Sequence, residues 1–133
     1  MQKNKSLTLR RDKILATTDN GCNYFLKRFP ELWMQIKYGR RVNLNSEFHD
    51  QQGTLSVYFN TNKNKWFFKD HAGKETYGDM FTYAALVNKL DFQKDFSRIL
   101  TVVENEMKDF APPSLNTYKI LNNETGEYIT FII

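Results

Sequence analysis

The sequence predicts a small α+β domain in which a short antiparallel sheet is flanked by helices. Its 133 residues, 41% hydrophobic and 26% charged, suit one modest core and a globular chain, not a disordered one. The runs LSVYFN (55–60) and KWFFK (65–69) are aromatic and β-branched and flank the polar tetrapeptide TNKN, the pattern of a hairpin. Met80, Tyr83, Ala84 and Val87 then fall at i, i+3, i+4 and i+7, one face of a helix.

The elements follow in chain order. Residues 9–38 read as short helices, interrupted by the turn-prone TTDNG at 17–21 and by Pro30. Within the hairpin, alternation sends Trp66 and Phe68 to one face and Phe67, with Lys65 and Lys69, to the other. Asp79 stands where a helix needs its N-terminal cap, and Gly78 fits the turn before it. Asp91 reads as a second cap, ahead of an amphipathic helix carrying Phe92, Phe96, Ile99, Leu100 and Val103. APPSLN (111–116) reads as a linker, and YKIL and EYITFII around NNETG as a terminal hairpin. An apolar Phe-Ile-Ile end suggests a fragment of a longer chain, or a strand that something covers. The organisation is thus a basic helical segment (1–41), a central β-then-helix unit (42–110), and a linker with hairpin (111–133).

Composition narrows the function classes. No apolar run nears the roughly 18 residues that span a bilayer, and no apolar signal core follows the basic N-terminus, so a cytoplasmic protein without membrane contact is expected. The single Cys22 excludes an internal disulfide and any multi-cysteine metal site; in its aromatic helix it reads as a buried, inert thiol. Up to Arg41 there are ten basic against three acidic side chains, whereas the remainder is net acidic. A basic half of this kind suits a phosphate backbone or is solvated surface. The sequence holds no phosphate-binding glycine loop, nucleophile elbow or recognisable carboxylate pair for magnesium, so the chain is not expected to be an enzyme on its own.

One resemblance sharpens this. Ser46-Glu47-Phe48-His49, the strand at 55–57, Trp66-Phe67-Phe68-Lys69-Asp70-His71, Tyr77-Gly78-Asp79 with Phe81, and KLDFQKDFSRIL (89–100) follow one another through residues 42–105. In order and spacing this resembles the CHC-type zinc ribbon at the N-terminus of bacterial and phage primases. That family has Cys-Pro-Phe-His, a hairpin, Trp/Tyr-x-Cys-x-x-Cys and Gly-Gly-Asp before a helix. ATTDNGCNYFLKRFP (16–30) is more loosely similar to the lead-in of primase-like proteins of phages and mobile elements. The resemblance implies a zinc-ribbon-like sheet that engages template DNA, with catalysis in a separate domain.

The family's four ligand positions fall on Ser46, His49, Phe68 and His71. Phe68 cannot coordinate a metal and serine is a poor zinc ligand. Without the roughly 10–15 kcal/mol of a structural zinc site, the economical account is replacement. The Phe68 side chain fills the metal's place, its burial worth about 2–3 kcal/mol. No cofactor is expected, and zinc is expected to be absent. His49 and His71 also read as hydrogen-bonded core histidines.

The candidate contacts are Tyr58, Lys63, Lys65, Trp66, Phe67 and Lys69 on the hairpin, with Lys37, Arg40 and Arg41 before it. Their aromatics either stack on unpaired bases while the cations track phosphates, or build the core of a small sheet with solubilising lysines. The resemblance implies the first, with single-stranded DNA as partner and other replication proteins nearby. The rival expectation is a metal-free protein-interaction or scaffolding module that has lost DNA binding.

Overall fold

The computed structural model describes residues 2–48, 53–72, 76–110, 117–121, 126 and 128–132. It is a small α+β fold of five helices and a three-stranded antiparallel sheet, with a separate two-stranded hairpin at the C-terminal end. Among the described residues, no helix is long and apolar enough to cross a membrane.

Three helices come first, α1 (Gln2–Thr17), α2 (Cys22–Arg28) and α3 (Leu32–Tyr38). The α1–α2 turn falls on the predicted TTDNG segment because Asp19, Asn20 and Gly21 take left-handed φ values of 53°, 56° and 94°. Thr18 locks it: its hydroxyl donates to the Ile14 carbonyl at 2.7 Å and accepts from the Gly21 amide at 3.2 Å. The short α2 buries Cys22, Tyr24, Phe25 and Leu26, so its stability comes from packing and not from propensity.

The sheet has the order β1 (Leu55–Asn60), β2 (Lys65–Asp70), β3 (Thr76–Gly78). β1 and β2 form the expected hairpin, with Val57 opposite Phe68 and Tyr58 opposite Phe67, and Asn64 at φ 55° in its turn. β3, which the sequence did not announce, pairs Lys69 with Tyr77 and Phe68 with Gly78. Helix α4 (Met80–Val87) starts at Asp79, whose Oδ1 accepts from the Phe81 and Thr82 amides at 3.1 Å each, the predicted cap. Gly78 admits no side chain, since an added Cβ would lie 2.6 Å from the Thr82 Cβ.

The second capping expectation needs correction. Asp91 Oδ1 accepts from the Gln93 and Lys94 amides and so closes a separate turn. Helix α5 (Phe96–Met107) begins only after it, which leaves Phe92 on the surface.

One hydrophobic core joins Ile14, Phe25, Phe29 and Leu32 from the first three helices to Val57, Phe68, Tyr83, Leu100 and Val103. The core therefore runs straight across the 41/42 boundary drawn from the sequence. At the end of the chain β4 (Thr117–Leu121) and β5 (Tyr128–Ile132) pair antiparallel as the expected hairpin; the linker at 111–116 lies outside the described residues.

Candidate nucleic-acid interface

Strand alternation divides the sheet chemically. On the inner side Leu55, Val57 and Phe68 are buried, and Trp66 is half-buried against the core. The outer side carries the cross-strand pairs Ser56–Lys69, Tyr58–Phe67 and Asn60–Lys65, and Lys69 is next to Tyr77 on β3. The Tyr58 and Phe67 rings lie 6.3 Å apart at 48°, both half-buried, and Tyr77 is 62% exposed. Arg41 comes in from the segment before β1, its Nη2 donating to Ser56 Oγ at 2.7 Å. One face thus gathers three aromatic rings with the cations Arg41, Lys65 and Lys69. Such a face offers π surfaces to unpaired bases and positive charge to phosphates.

The cations are not equivalent. Lys65 is 2.8 Å from Asp79 Oδ2, so part of its charge is already answered. Lys63 is exposed in the hairpin turn, Arg40 is exposed after α3, and Lys37 lies 5.7 Å over the Trp33 ring. Trp66 does not share the Phe67 face. Its backbone N–H donates to the Asn20 carbonyl at 2.9 Å and its ring is edge-on to Phe59, so it packs toward the α1–α2 turn. Tyr77, by contrast, was missed, because only the register of a three-residue strand brings it beside Lys69.

At the positions that the resemblance to a zinc ribbon singled out, the described side chains serve other ends. Phe68 is fully buried, its ring 4.9 Å from Tyr83, 6.1 Å from Phe48 and 6.3 Å from Phe25. The Ser46 hydroxyl donates to the buried Asp70 carboxylate. His71 is on the surface and is no core histidine; its Nε2 lies 3.4 Å from Ser56 Oγ. His49 lies outside the described residues. Among the described residues no three His, Cys, Asp or Glu side chains gather to hold a metal ion. With a buried phenyl ring at Phe68 and a hydroxyl at Ser46, these positions do not supply the ligands that zinc needs. The loop at 46–48 is tied to the sheet instead by the Ser46–Asp70 bond and the Phe48–Phe68 contact.

A polar hub completes that tie. Arg28 Nε and Nη2 reach the two Glu47 oxygens at 3.0 and 2.7 Å, and Nη1 reaches Glu106 at 2.8 Å. Its guanidinium also lies 5.3 Å over Tyr83 and 5.7 Å over Tyr24, while the Tyr83 hydroxyl donates to Glu47 at 2.7 Å. Burial alone would raise the Glu47 carboxyl, but the bonds from Arg28 and Tyr83 outweigh it and hold it below its usual range. Burial pushes both tyrosines up, with the Glu47 bond adding to the effect at Tyr83 and the nearby Glu106 charge at Tyr24. The Tyr24 hydroxyl itself is buried without a well-aligned partner. Burial also pushes the Cys22 thiol up to about 12, with the Asp19 charge adding, in keeping with an inert thiol.

No protein-family model, curated protein or solved structure matches the chain. The candidate site is thus defined by the geometry of the sheet face. The fold also explains the charge asymmetry of the sequence. Arg10 pairs with Glu104 and Arg28 with Glu47 and Glu106, so part of the basic N-terminal half is matched by the acidic remainder.

Proposed function

We propose that this chain is a nucleic-acid-binding module whose partner is single-stranded DNA, engaged on the outer face of the three-stranded sheet. The observation that carries the reading is the placement of Tyr58, Phe67 and Tyr77 on the same face as Arg41, Lys65 and Lys69. Stacking is tolerant of sequence because every base has a π face, and the cations add a salt-dependent attraction to phosphate. The order of motifs through residues 42–105 supports a template-engaging role in a primase-like protein of a phage or mobile element, acting in the cytoplasm beside other replication proteins. Catalysis is assigned to a different domain.

A second reading, a protein-interaction module, is favoured by the terminal hairpin. Its two strands, TYKIL and YITFI, are rich in apolar residues, a composition that suits a protein partner.

Fluorescence anisotropy with a labelled single strand of about 20 nucleotides, and with its duplex, at two salt concentrations separates the readings. Engagement of Arg41, Lys65 and Lys69 by phosphates predicts a slope of log affinity against log salt of about −2, at roughly 0.7 per neutralised phosphate. Absence of binding at low salt would overturn the nucleic-acid reading.

A further inference from the structure

Beside the aromatic pair the surface is not flat. The C-terminal end of α3 and strand β1 enclose a cleft of about 350 Å³ lined by Gln35, Gly39, Arg41, Ser56, Val57 and Tyr58. This is the low end of the roughly 300–1,000 Å³ range of small-ligand sites, enough for one nucleotide and too small for a stretch of strand.

Its walls are fixed in advance. Gln35 Nε2 donates to the Val57 carbonyl at 2.7 Å and Gln35 Oε1 accepts from the Val42 amide at 3.1 Å, so both ends of that amide serve as a brace. The brace also covers an edge carbonyl of β1 that a neighbouring strand would otherwise use. Gly39 closes α3 at φ 69° with nothing within 4 Å of the place a Cβ would take, which leaves that side of the cleft open.

Arg41 is the reactive wall. Ser56 Oγ, nearly buried, holds one of its N–H groups. Arg41 lines the cleft, and among the described residues its guanidinium has no other hydrogen-bond partner, so the other donors of a positioned, planar fork are left for a ligand. That is the arrangement a phosphate diester or monoester matches with paired hydrogen bonds. Tyr58 lines the same cleft and its ring stands 6.3 Å from that of Phe67, so the cleft adjoins the aromatic pair.

We infer that this cleft seats one nucleotide of the bound single strand, its phosphate on Arg41 and its base against Tyr58. The inference rests on the sheet-face reading above and adds a fixed point to it. The strand is anchored at α3–β1 and passes from there over Phe67 toward Lys69 and Tyr77.

The test is a nitrogen-15 correlation spectrum of the protein titrated with dTMP, with inorganic phosphate as control, alongside oligonucleotide anisotropy for Arg41→Ala and Arg41→Lys. Arg41 is exposed, so neither substitution is expected to disturb the fold. Millimolar dTMP should shift the amides of Gly39, Arg41, Ser56 and Tyr58, and both substitutions should abolish those shifts. Inorganic phosphate should move Arg41 and leave Tyr58 still. Arg41→Lys, which keeps the charge and loses the fork, should weaken oligonucleotide binding by about tenfold. Oligonucleotide binding that is intact in the wild type and unchanged in both variants, with no dTMP shifts in the cleft, would overturn the cleft and leave the sheet face standing. Cleft shifts with dTMP in a protein that ignores the oligonucleotide would uphold the nucleotide site and bring down the strand reading instead.

Discussion

Trp66, Phe67 and Phe68 are consecutive aromatics on one strand, and replacing each by alanine should give a zigzag of effects. Phe68 has no exposed surface and touches the rings of Phe25, Phe48 and Tyr83. Removing it takes away a buried phenyl and leaves a cavity that neighbouring rings cannot fill without moving. The expected loss is about 3–5 kcal/mol, a large share of the stability of a domain this size. Phe67 is half-buried on the other side, beside Tyr58. Its removal should shift stability by no more than about 1 kcal/mol but weaken single-strand binding by about 1–3 kcal/mol, some 5- to 150-fold. Trp66, packed toward Asn20 and Gly21, belongs with Phe68: alanine there should lower stability and leave the affinity of the folded fraction unchanged. Urea unfolding followed by far-UV circular dichroism gives the first quantity, and anisotropy on the same samples gives the second. If Phe67→Ala binds as tightly as wild type while Trp66→Ala loses affinity without losing stability, the assignment of faces is wrong.

Three further outcomes follow from the packing. Gly78→Ala should lower stability by about 1–3 kcal/mol, read as a drop of several degrees in Tm, because its Cβ would meet the Thr82 side chain at 2.6 to 2.8 Å. Glu47 has a depressed folded-state pKa, so its contribution is fully present above its unfolded value near 4.5 and is lost as pH falls through the lower folded value. Glu47→Gln should therefore flatten the acid limb of a stability–pH curve below about pH 4.5, and an unchanged limb would refute the hub's role. Tyr24 and Tyr83 have raised folded-state values, so stability present below about pH 10 should fall as pH rises beyond it, and Tyr83→Phe should soften that alkaline loss.

Local chemistry made much of the fold legible. Alternation in KWFFK separated Phe67 from Trp66 and Phe68, and a carboxylate before an apolar helical stripe marked Asp79 as a cap. The errors came where distance in sequence hides contact in space. Nothing local in the sequence singles out Arg28, yet it draws together Glu47 and Glu106 from 19 and 78 residues away. His71 was read as a hydrogen-bonded core histidine, but it follows the buried Asp70 at the end of β2 and stands on the surface. Asp91 was read as a helix cap, and its carboxylate does cap a turn, but one that ends before α5 begins. The outer face was half visible: its hairpin residues followed from alternation, whereas Tyr77 depended on a three-residue strand with no periodicity to betray it.

The aromatic cluster around Phe68 also decides how the chain can be divided. Its rings come from α2, the 46–48 loop, β2 and α4: Tyr83 meets Phe25 and Phe29 edge to face at 5.7 and 6.0 Å, and Phe48 at a tilt at 5.2 Å. A truncation that begins at residue 42 would keep the strands but lose Arg41 from their outer face, and would strip one wall from this cluster, exposing Phe68 and Tyr83 to water. The N-terminal helices are therefore no detachable arm of the sheet. The smallest expressible unit that retains the face must carry them.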